Sequence, residues 1–287
     1  MKILVLGSSG MLGRVLVKEF KSKNWIVCGT AIDQADFVFD IRDDFKLNCL
    51  IESFYPDIIV NTVAIIDHEV CDAHPGLAYQ INARPLTILT EICKKKNIFL
   101  VQISTDYYYH GNKNLKHKED ARICLLDEYA RTKYAAEIFT LLYNNSLVVR
   151  TNIVGFRNDK TQPSFVEWVI DALVNKRNIN IFDDVYVSSI DVSCFANVLS
   201  QLLVKKPVGI FNVASCDVFT KKDFAIGLAK KLNFDFSNFN IGSVKNLSHN
   251  VRADSLGLDV SKIEDLLKIS LPTMEEVIDN ILLEVGK

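Results

Sequence analysis

A glycine loop near the start of the chain constrains its fold more than any other feature. The run Lys2–Gly7 is aliphatic and suits a β-strand buried on both faces, and the apolar spacing of Met11–Phe20 predicts a helix. Between them the chain reads GSSGMLG, a GxxGxxG spacing formed by Gly7, Gly10 and Gly13. Such a loop permits a tight turn, brings backbone NH groups close to a pyrophosphate and lets the helix pack on the sheet. It predicts a dinucleotide-binding βαβ unit.

The alternation of strand and helix continues through the first half of the chain. Aliphatic runs predict further strands that begin at Ile26 and cover 57–61, 98–103 and 147–150. Between them, apolar periodicity predicts helices that include 86–93 and 129–142. We therefore predict an α/β fold with a Rossmann-type doubly wound parallel sheet.

After about Thr151 the alternation becomes irregular. Helices are expected over 165–174, 192–203, 223–232 and 274–283, with a strand-like segment at 179–182. This change predicts a smaller C-terminal α+β substrate lobe. The expected domains are residues 1–152, an NAD(P)-binding Rossmann domain with the catalytic residues, and 153–287, mainly a substrate-binding lobe. Segments near 187–215 are candidates to return to the Rossmann domain.

Charge and composition exclude several classes of function. Lys and Arg number 33 against 35 Asp and Glu, a net charge of -2, so neither nucleic acid nor an anionic membrane is an expected partner. No apolar run approaches the ~18 residues of a membrane span, and the seven scattered cysteines indicate reduced thiols, so a cytoplasmic protein is expected. No metal site is predicted, because mutual ligand spacing is lacking among His68, His74, His110, His117 and His249.

Residues at the carboxyl ends of the predicted strands extend the dinucleotide site. Small residues at 61–64 leave room for ribose and diphosphate, and Asp40 is positioned to accept the adenine amino group. Thr30 at the end of the second strand is compatible with NADP and Asp33 with NAD; NADP is the prediction and NAD the alternative. The predicted cofactor-binding residues are Gly7, Ser9, Gly10, Met11, Leu12, Gly13, Thr30, Asp40, Ile41, Asn61, Val63 and Ala64.

A second motif places a phenol and an ammonium group on one helix face. Tyr129 and Lys133 are four residues apart, and a nearby cation lowers the pKa of a phenol by stabilising phenolate. Thr105 follows the fourth long strand, at the same sheet edge as the glycine loop. Together these residues suit the donation of a proton to a substrate carbonyl oxygen.

Four stretches carry a family resemblance: GSSGMLG, STDYYYHG from Ser104, YARTK from Tyr129, and the segment Arg252–Lys262. With them the chain resembles the extended short-chain dehydrogenase/reductases over nearly its whole length, most closely the dTDP-4-dehydrorhamnose reductases and related nucleotide-sugar reductases. The resemblance implies that NAD(P)H reduces the 4-keto group of a nucleotide-linked 6-deoxy sugar. It assigns the catalytic roles to Thr105, Tyr129 and Lys133, and Lys133 would also hold the nicotinamide ribose.

The resemblance further implies substrate contacts, at positions where this chain partly departs from its relatives. Leu125-Leu126-Asp127 replaces proline, leucine and asparagine before the tyrosine, and Ile153 replaces a sugar-facing tryptophan. A reshaped substrate pocket is therefore expected. The residues predicted to bind the nucleotide sugar are Asp106, Tyr107, Asn152, Ile153 and Arg252.

Two alternatives stay open. A nucleotide-sugar epimerase would use similar residues but return the hydride, and a non-catalytic dinucleotide-binding regulatory subunit, such as the β subunit of methionine adenosyltransferase, shares the resemblance. The sequence leaves the oligomeric state undetermined, with a homodimer as one candidate.

Overall fold

A computed structural model describes residues 1–159, 161–246 and 252–285. His249, one of the histidines considered above, lies outside the described residues. The strands are β1 Lys2–Leu6, β2 Ile26–Ala31, β3 Phe37–Val38, β4 Ile58–Asn61, β5 Phe99–Ile103, β6 Ser146–Arg150, β7 Ile153–Val154, β8 Ile179–Phe182, β9 Tyr186–Val187, β10 Ile190–Asp191, β11 Gly209–Asn212, β12 Phe219–Thr220, β13 Phe239–Gly242 and β14 Ser255–Leu256.

The helices alternate with the strands through the first half of the chain and become less regularly placed after it. They are α1 Met11–Ser22, α2 Asp44–Phe54, α3 His68–Ala73, α4 Pro75–Asn82, α5 Arg84–Lys96, α6 Glu128–Leu141, α7 Phe165–Val174, α8 Val192–Lys205, α9 Lys221–Lys231, α10 Ser261–Leu267 and α11 Met274–Val285, with a short 3-10 helix at Val244–Asn246. In the described part of the chain, every helix is too short or too polar to cross a bilayer.

A seven-stranded sheet in the order β11-β6-β5-β4-β1-β2-β3 forms the centre of the fold. Strand β1 pairs in parallel with β2 on one side and β4 on the other, and the sheet continues in parallel from β4 to β5 and β6. The predicted Rossmann-type sheet is confirmed. Because the chain order reverses beside β1, the loops that follow β1 and β4 meet at the point where such sheets bind ligands.

The chain forms two compact units, each assembled from three segments. The first contains Met1–Thr105, Asp127–Arg150 and Ala196–Phe211, and the second contains Asp106–Leu126, Thr151–Phe195 and Asn212–Lys287. The segment 106–126, which the predicted boundary at 152 assigned to the N-terminal domain, thus belongs to the second unit.

Each unit has its own apolar core. In the first, Leu4, Leu6 and Leu100 of the sheet pack with apolar residues of α2 and α5, including Leu47 and Leu89. Parallel strands covered by helices are buried on both faces, which explains their continuous aliphatic sequences.

In the second unit the core lies between helices and small sheets. Val169 of α7, Leu228 of α9 and Ile281 of α11 are buried against Ile181 and Val187 of the short strands. The small sheets pair β7 with β10, β8 with β13, and β9 with β12 and β14.

Candidate functional site

The glycine loop has the geometry that its spacing predicts. Gly7 has a φ of +84°, which side chains rarely adopt, and a Cβ there would lie 2.6 Å from Oγ1 of Thr62. Gly10 is the N-cap of α1. At Gly13 a Cβ would overlap the carbonyl oxygen of Gly7, so only glycine lets the helix start this close to the loop.

A cavity of about 340 Å³ opens beside this loop. Of the predicted cofactor residues, eight line it and five do not: Met11, Leu12 and Gly13 belong to α1, Asn61 is buried in the sheet, and Lys133 belongs to α6. The side chain of Asn61 donates to Oε1 of Gln102 at 2.7 Å and accepts from the backbone NH of Val63, so it shapes the end of β4. The eight that line the cavity are Gly7, Ser9, Gly10, Thr30, Asp40, Ile41, Val63 and Ala64.

The buried hydroxyl of Thr30 is a feature of this cavity that suits a polar ligand. Thr30 lines the cavity, and its buried Oγ1 has no hydrogen-bond partner among the described residues. An unpaired buried hydroxyl costs about 1–3 kcal/mol, which a ligand oxygen or nitrogen would offset. Together with the glycine loop at the N-terminus of α1, these residues fit a dinucleotide.

Two carboxylates near the cavity already have partners. Asp40 accepts from the backbone NH, Nε and Nη2 of Arg42, and the side-chain hydrogen bond of that guanidinium lowers the pKa of Asp40 below its usual value. Asp33 accepts from Oγ of Ser9 at 2.9 Å, beside the glycine loop. An acid in this region suits a ribose 2′-hydroxyl, whereas a 2′-phosphate calls for a cation.

The predicted catalytic residues lie on two neighbouring elements of the first unit. Tyr129 and Lys133 are one turn apart on α6, Thr105 follows β5, and all three are buried. Nζ of Lys133 donates to the carbonyl oxygen of Ile103 at 2.7 Å, two residues before Thr105. Burial lowers the pKa of Lys133 from 10.5 to about 8, against the opposing effect of the Glu137 carboxylate. This ammonium group therefore titrates close to neutral pH.

An imidazole that the sequence analysis did not assign to the site lies against the tyrosine. The ring centroids of His68 and Tyr129 are 4.5 Å apart, and Nδ1 of His68 is 2.6 Å from Oδ2 of Asp127. Asp127 is also the N-cap of α6 and accepts from the backbone NH of Ala130 at 2.8 Å. The only sequence signal for this arrangement was the position of His68 in the segment that follows the predicted strand 57–61.

The second unit brings together most of the predicted substrate residues. Asn152 donates to Oδ2 of Asp106 at 2.7 Å and accepts from Oγ of Ser189 at 2.9 Å. The hydroxyl of Tyr107 accepts from the backbone NH of Ala253 at 3.2 Å. The structure thus positions Asp106 and Tyr107 through segments more than 40 residues away in the sequence.

Two cations and a strand residue complete this group. Lys221, at the start of α9, was not predicted as a site residue. Burial lowers the pKa of its ammonium group; the Arg252 guanidinium also lowers this pKa, and the Asp106 carboxylate raises it. Arg252 itself is exposed. Ile153 lies in β7, paired with Ile190 of β10. The charges of the Lys221 ammonium and the Arg252 guanidinium thus act on each other, and two neighbouring cations suit an anionic ligand.

The fold and these residues define a dinucleotide-binding protein of the extended short-chain dehydrogenase/reductase class. Residues 1–286 match the family described as RmlD substrate binding domain. The chain belongs to this family.

The chain is also similar to individual proteins. The chain is 26% identical over 286 residues to the probable low-salt glycan biosynthesis reductase Agl14 of Haloferax volcanii, covering 96% of this chain and 95% of that one. It is 25% identical to methionine adenosyltransferase 2 subunit beta of Xenopus laevis, covering 92% and 82%. Its structure is similar, with a TM-score of 0.89 and 20% identity over 99% of both chains, to dTDP-4-dehydrorhamnose reductase of Bacillus anthracis in complex with NADP.

Proposed function

We propose that this protein is an NAD(P)H-dependent reductase of the 4-keto group of a nucleotide-linked 6-deoxy sugar. The observation that carries the proposal is the buried Tyr129 and Lys133 pair, whose ammonium group contacts Ile103, two residues before the buried Thr105, in the same unit as the glycine-loop cavity. A reductase among the similar proteins and the family match over the whole chain support it. The bound dinucleotide would supply the hydride.

The residues of this chain account for the proton and for the charge that develops. The Thr105 hydroxyl and the Tyr129 phenol would hold the carbonyl oxygen, and Tyr129 would transfer its proton to that oxygen as the C–O bond becomes single. Lys133 stabilises the phenolate that remains. Its contact with the Ile103 carbonyl keeps the ammonium group at this end of β5. Burial of all three side chains reduces competing proton exchange with water.

Substrate recognition is proposed for the second unit. Asp106, Tyr107 and Asn152 suit hydrogen bonds to sugar hydroxyls, and Ile153 supplies an apolar contact. The two cations Lys221 and Arg252 suit the diphosphate of a sugar nucleotide. NADP is the proposed cofactor and NAD the alternative, and a comparison of kcat/KM for NADPH and NADH in wild type and Asp33→Ala tests the contribution of the Asp33 carboxylate.

The catalytic role is tested by Tyr129→Phe, which removes only the hydroxyl. We expect NAD(P)H oxidation with a panel of dTDP-, UDP-, GDP- and CDP-linked 4-keto sugars to fall by about 100-fold or more, because a general acid contributes 10²–10⁴-fold. Cofactor affinity, measured by fluorescence titration, should be retained. Turnover equal to that of the wild type would refute the assigned role.

The cofactor cavity is tested separately by Gly13→Ala. Because the added methyl group would overlap the Gly7 carbonyl oxygen, we expect the loop to shift and dinucleotide binding to be lost. Gly76→Ala is the matched control, since a Cβ at that helical position meets nothing within 4 Å. Equal affinities in the two variants would argue against binding at the glycine loop.

A non-catalytic regulatory subunit is the second candidate, favoured by the similarity to methionine adenosyltransferase 2 subunit beta. It predicts dinucleotide binding without turnover of any sugar nucleotide, together with co-purification of a larger enzyme. An epimerase would instead convert the sugar without net consumption of reduced cofactor.

We also propose a homodimer. Ile138 of α6 and Leu142, the C-cap of that helix, are exposed one turn apart, and an apolar helix face of this kind suits an isologous contact. Light scattering after gel filtration should give twice the chain mass of 32.4 kDa, whereas the mass of one chain would exclude the dimer.

A further inference from the structure

The pair formed by His68 and Asp127 adjoins the proposed acid without belonging to the predicted triad. The His68 ring packs against the Tyr129 ring with a centroid distance of 4.5 Å and an interplanar angle of 55°. Its Nδ1 also lies 2.6 Å from the carboxylate of Asp127. The imidazole is therefore held from one side by a carboxylate and lies on the other side against the phenol.

Asp127 is suited to orient the imidazole. Burial raises the pKa of its carboxyl, but the hydrogen bonds from His68 and from the backbone NH of Ala130 act in the opposite direction. The pKa of Asp127 therefore lies below its ordinary value. An ionised carboxylate only accepts hydrogen bonds, so Nδ1 of His68 carries a proton. Because Asp127 is fixed as the N-cap of α6, it places His68 relative to the helix that carries Tyr129.

The surroundings of the pair are mostly acidic. Asp72 accepts from the backbone NH of Glu128, which joins α3 to the start of α6, and Arg131 pairs with Glu128. The other titratable groups of the neighbouring caps and helices are Asp67, Glu69 and Cys71 at α3, His74 at the N-cap of α4, Tyr79 of α4, and Lys133, Tyr134 and Glu137 of α6.

We propose that His68, oriented by Asp127, is a positioning residue for Tyr129: it fixes the phenol ring and, when protonated, stabilises the phenolate electrostatically. This proposal rests on the function proposed above. As the carbonyl carbon is reduced, the O–H bond of Tyr129 breaks, its proton joins the substrate oxygen and its electron pair stays on the phenolate. An imidazolium against the ring favours that charge and makes the phenol a stronger acid. His68 keeps its own proton throughout the step.

The first test compares the pH dependence of kcat in wild type and His68→Phe. Phenylalanine keeps a ring against Tyr129 but carries no charge. We expect the wild-type kcat to exceed that of H68F by about two- to fivefold at the acidic end of the profile and the two to converge at the basic end, because only a protonated imidazole carries a positive charge. Lys133 titrates in both proteins, so its contribution cancels in the ratio.

His74→Phe is the matched control, because His74 is an exposed histidine at the N-cap of α4 and its side chain makes no capping hydrogen bond. It should reproduce the wild-type profile. Parallel profiles for wild type and H68F, with KM values unchanged, would overturn the proposal.

A second readout does not depend on turnover. The mobility of the Tyr129 ring is followed by NMR of protein with carbon-13-labelled tyrosine, in wild type and in His68→Ala, with Tyr129→Phe used to assign the signal. We expect the Tyr129 ring to flip more slowly in the wild type, because the imidazole packs against it. Equal ring mobility would overturn the proposal even if the wild type reduces a sugar nucleotide. Slower ring motion in a wild-type protein that reduces none would instead refute the proposed function and retain the role of His68.

Discussion

Two buried cations, one on helix α6 and one on strand β6, differ in how their charge is balanced. Arg150 in β6 makes hydrogen-bonded ion pairs with Glu137, with Nη2 and Nε 2.7 and 3.0 Å from the carboxylate oxygens, and Ser104 donates to the same carboxylate at 2.6 Å. Lys133, one turn before Glu137, instead directs Nζ to the carbonyl oxygen of Ile103. Both side chains are almost fully buried.

This difference in charge compensation indicates which of the two buried cations can take part in chemistry. The forked contact of Arg150 with a carboxylate fixes a permanent charge inside the first unit. A backbone carbonyl compensates an ammonium group only in part, so burial lowers the pKa of Lys133 to about 8. We therefore assign the Arg150 pair to stability and Lys133 to the proposed proton transfer.

The largest effect is expected from Lys133→Met, which replaces the ammonium group with an apolar side chain of similar length. We expect kcat to fall on the order of a thousandfold, because the phenolate of Tyr129 loses its stabilising cation. The free energy of unfolding in urea should not fall, since the substitution removes a buried charge. A variant that is destabilised but active would reverse the assignment of the two cations.

Arg150→Met should have the opposite effect, because it should lower the free energy of unfolding and leave kcat nearly unchanged. It leaves the carboxylate of Glu137 buried without its guanidinium partner, which costs about 4 kcal/mol of unfolding free energy. The folded fraction should keep a kcat near that of the wild type. The double variant Arg150→Met/Glu137→Met is the control, because removing both charges should restore most of the stability as measured by urea unfolding.

Stability should depend on pH through Lys133. The pKa is about 8 in the folded protein and 10.5 ordinarily. Between these values the unfolded chain binds the extra proton, so the free energy of unfolding rises with pH, by about 3 kcal/mol across this window. Urea melts should show this rise in the wild type relative to Lys133→Met. The same pH dependence in both proteins would show that Lys133 is not the group responsible.

The smallest effect is expected from Ser104→Ala. It removes one hydrogen bond to the Glu137 carboxylate but leaves the Arg150 pair intact, so the loss of unfolding free energy should be about 1–2 kcal/mol. Thermal melts at constant pH would measure it. A loss as large as that of Arg150→Met would mean that the hydroxyl, not the guanidinium, carries the stabilisation of this carboxylate.

The sequence predicts the parts of this molecule that depend on neighbouring residues. Continuous aliphatic runs predict the long parallel strands, and the glycine spacing predicts the turn after β1, because each reflects burial or backbone geometry within a few residues. Strand β11 was missed, since its four residues, two of them half-buried and two buried, show no clear periodicity.

The contacts between distant segments could not be predicted in the same way. His68 meets Asp127 only because α3 packs against α6, and Lys221 is coupled to Asp106 across more than 100 residues of sequence. Asp40 was expected at the adenine, but no pattern in the sequence indicated that Arg42, two residues later, binds its carboxylate. Side-chain pairing of this kind depends on the folded arrangement, whereas strand and helix periods do not.

We propose that Tyr129 and Lys133 serve the reduction of a nucleotide-linked keto sugar. Transfer of deuterium from the cofactor to the sugar is the most direct test of this role. The protein is incubated with a 4-keto-6-deoxy sugar nucleotide and reduced cofactor deuterated at the transferred position, and the product is analysed by mass spectrometry and NMR. We predict one deuterium at C4 of the sugar, with an equal amount of cofactor oxidised, in the wild type but not in Tyr129→Phe. Sugar recovered without deuterium, although the cofactor binds, would contradict the account.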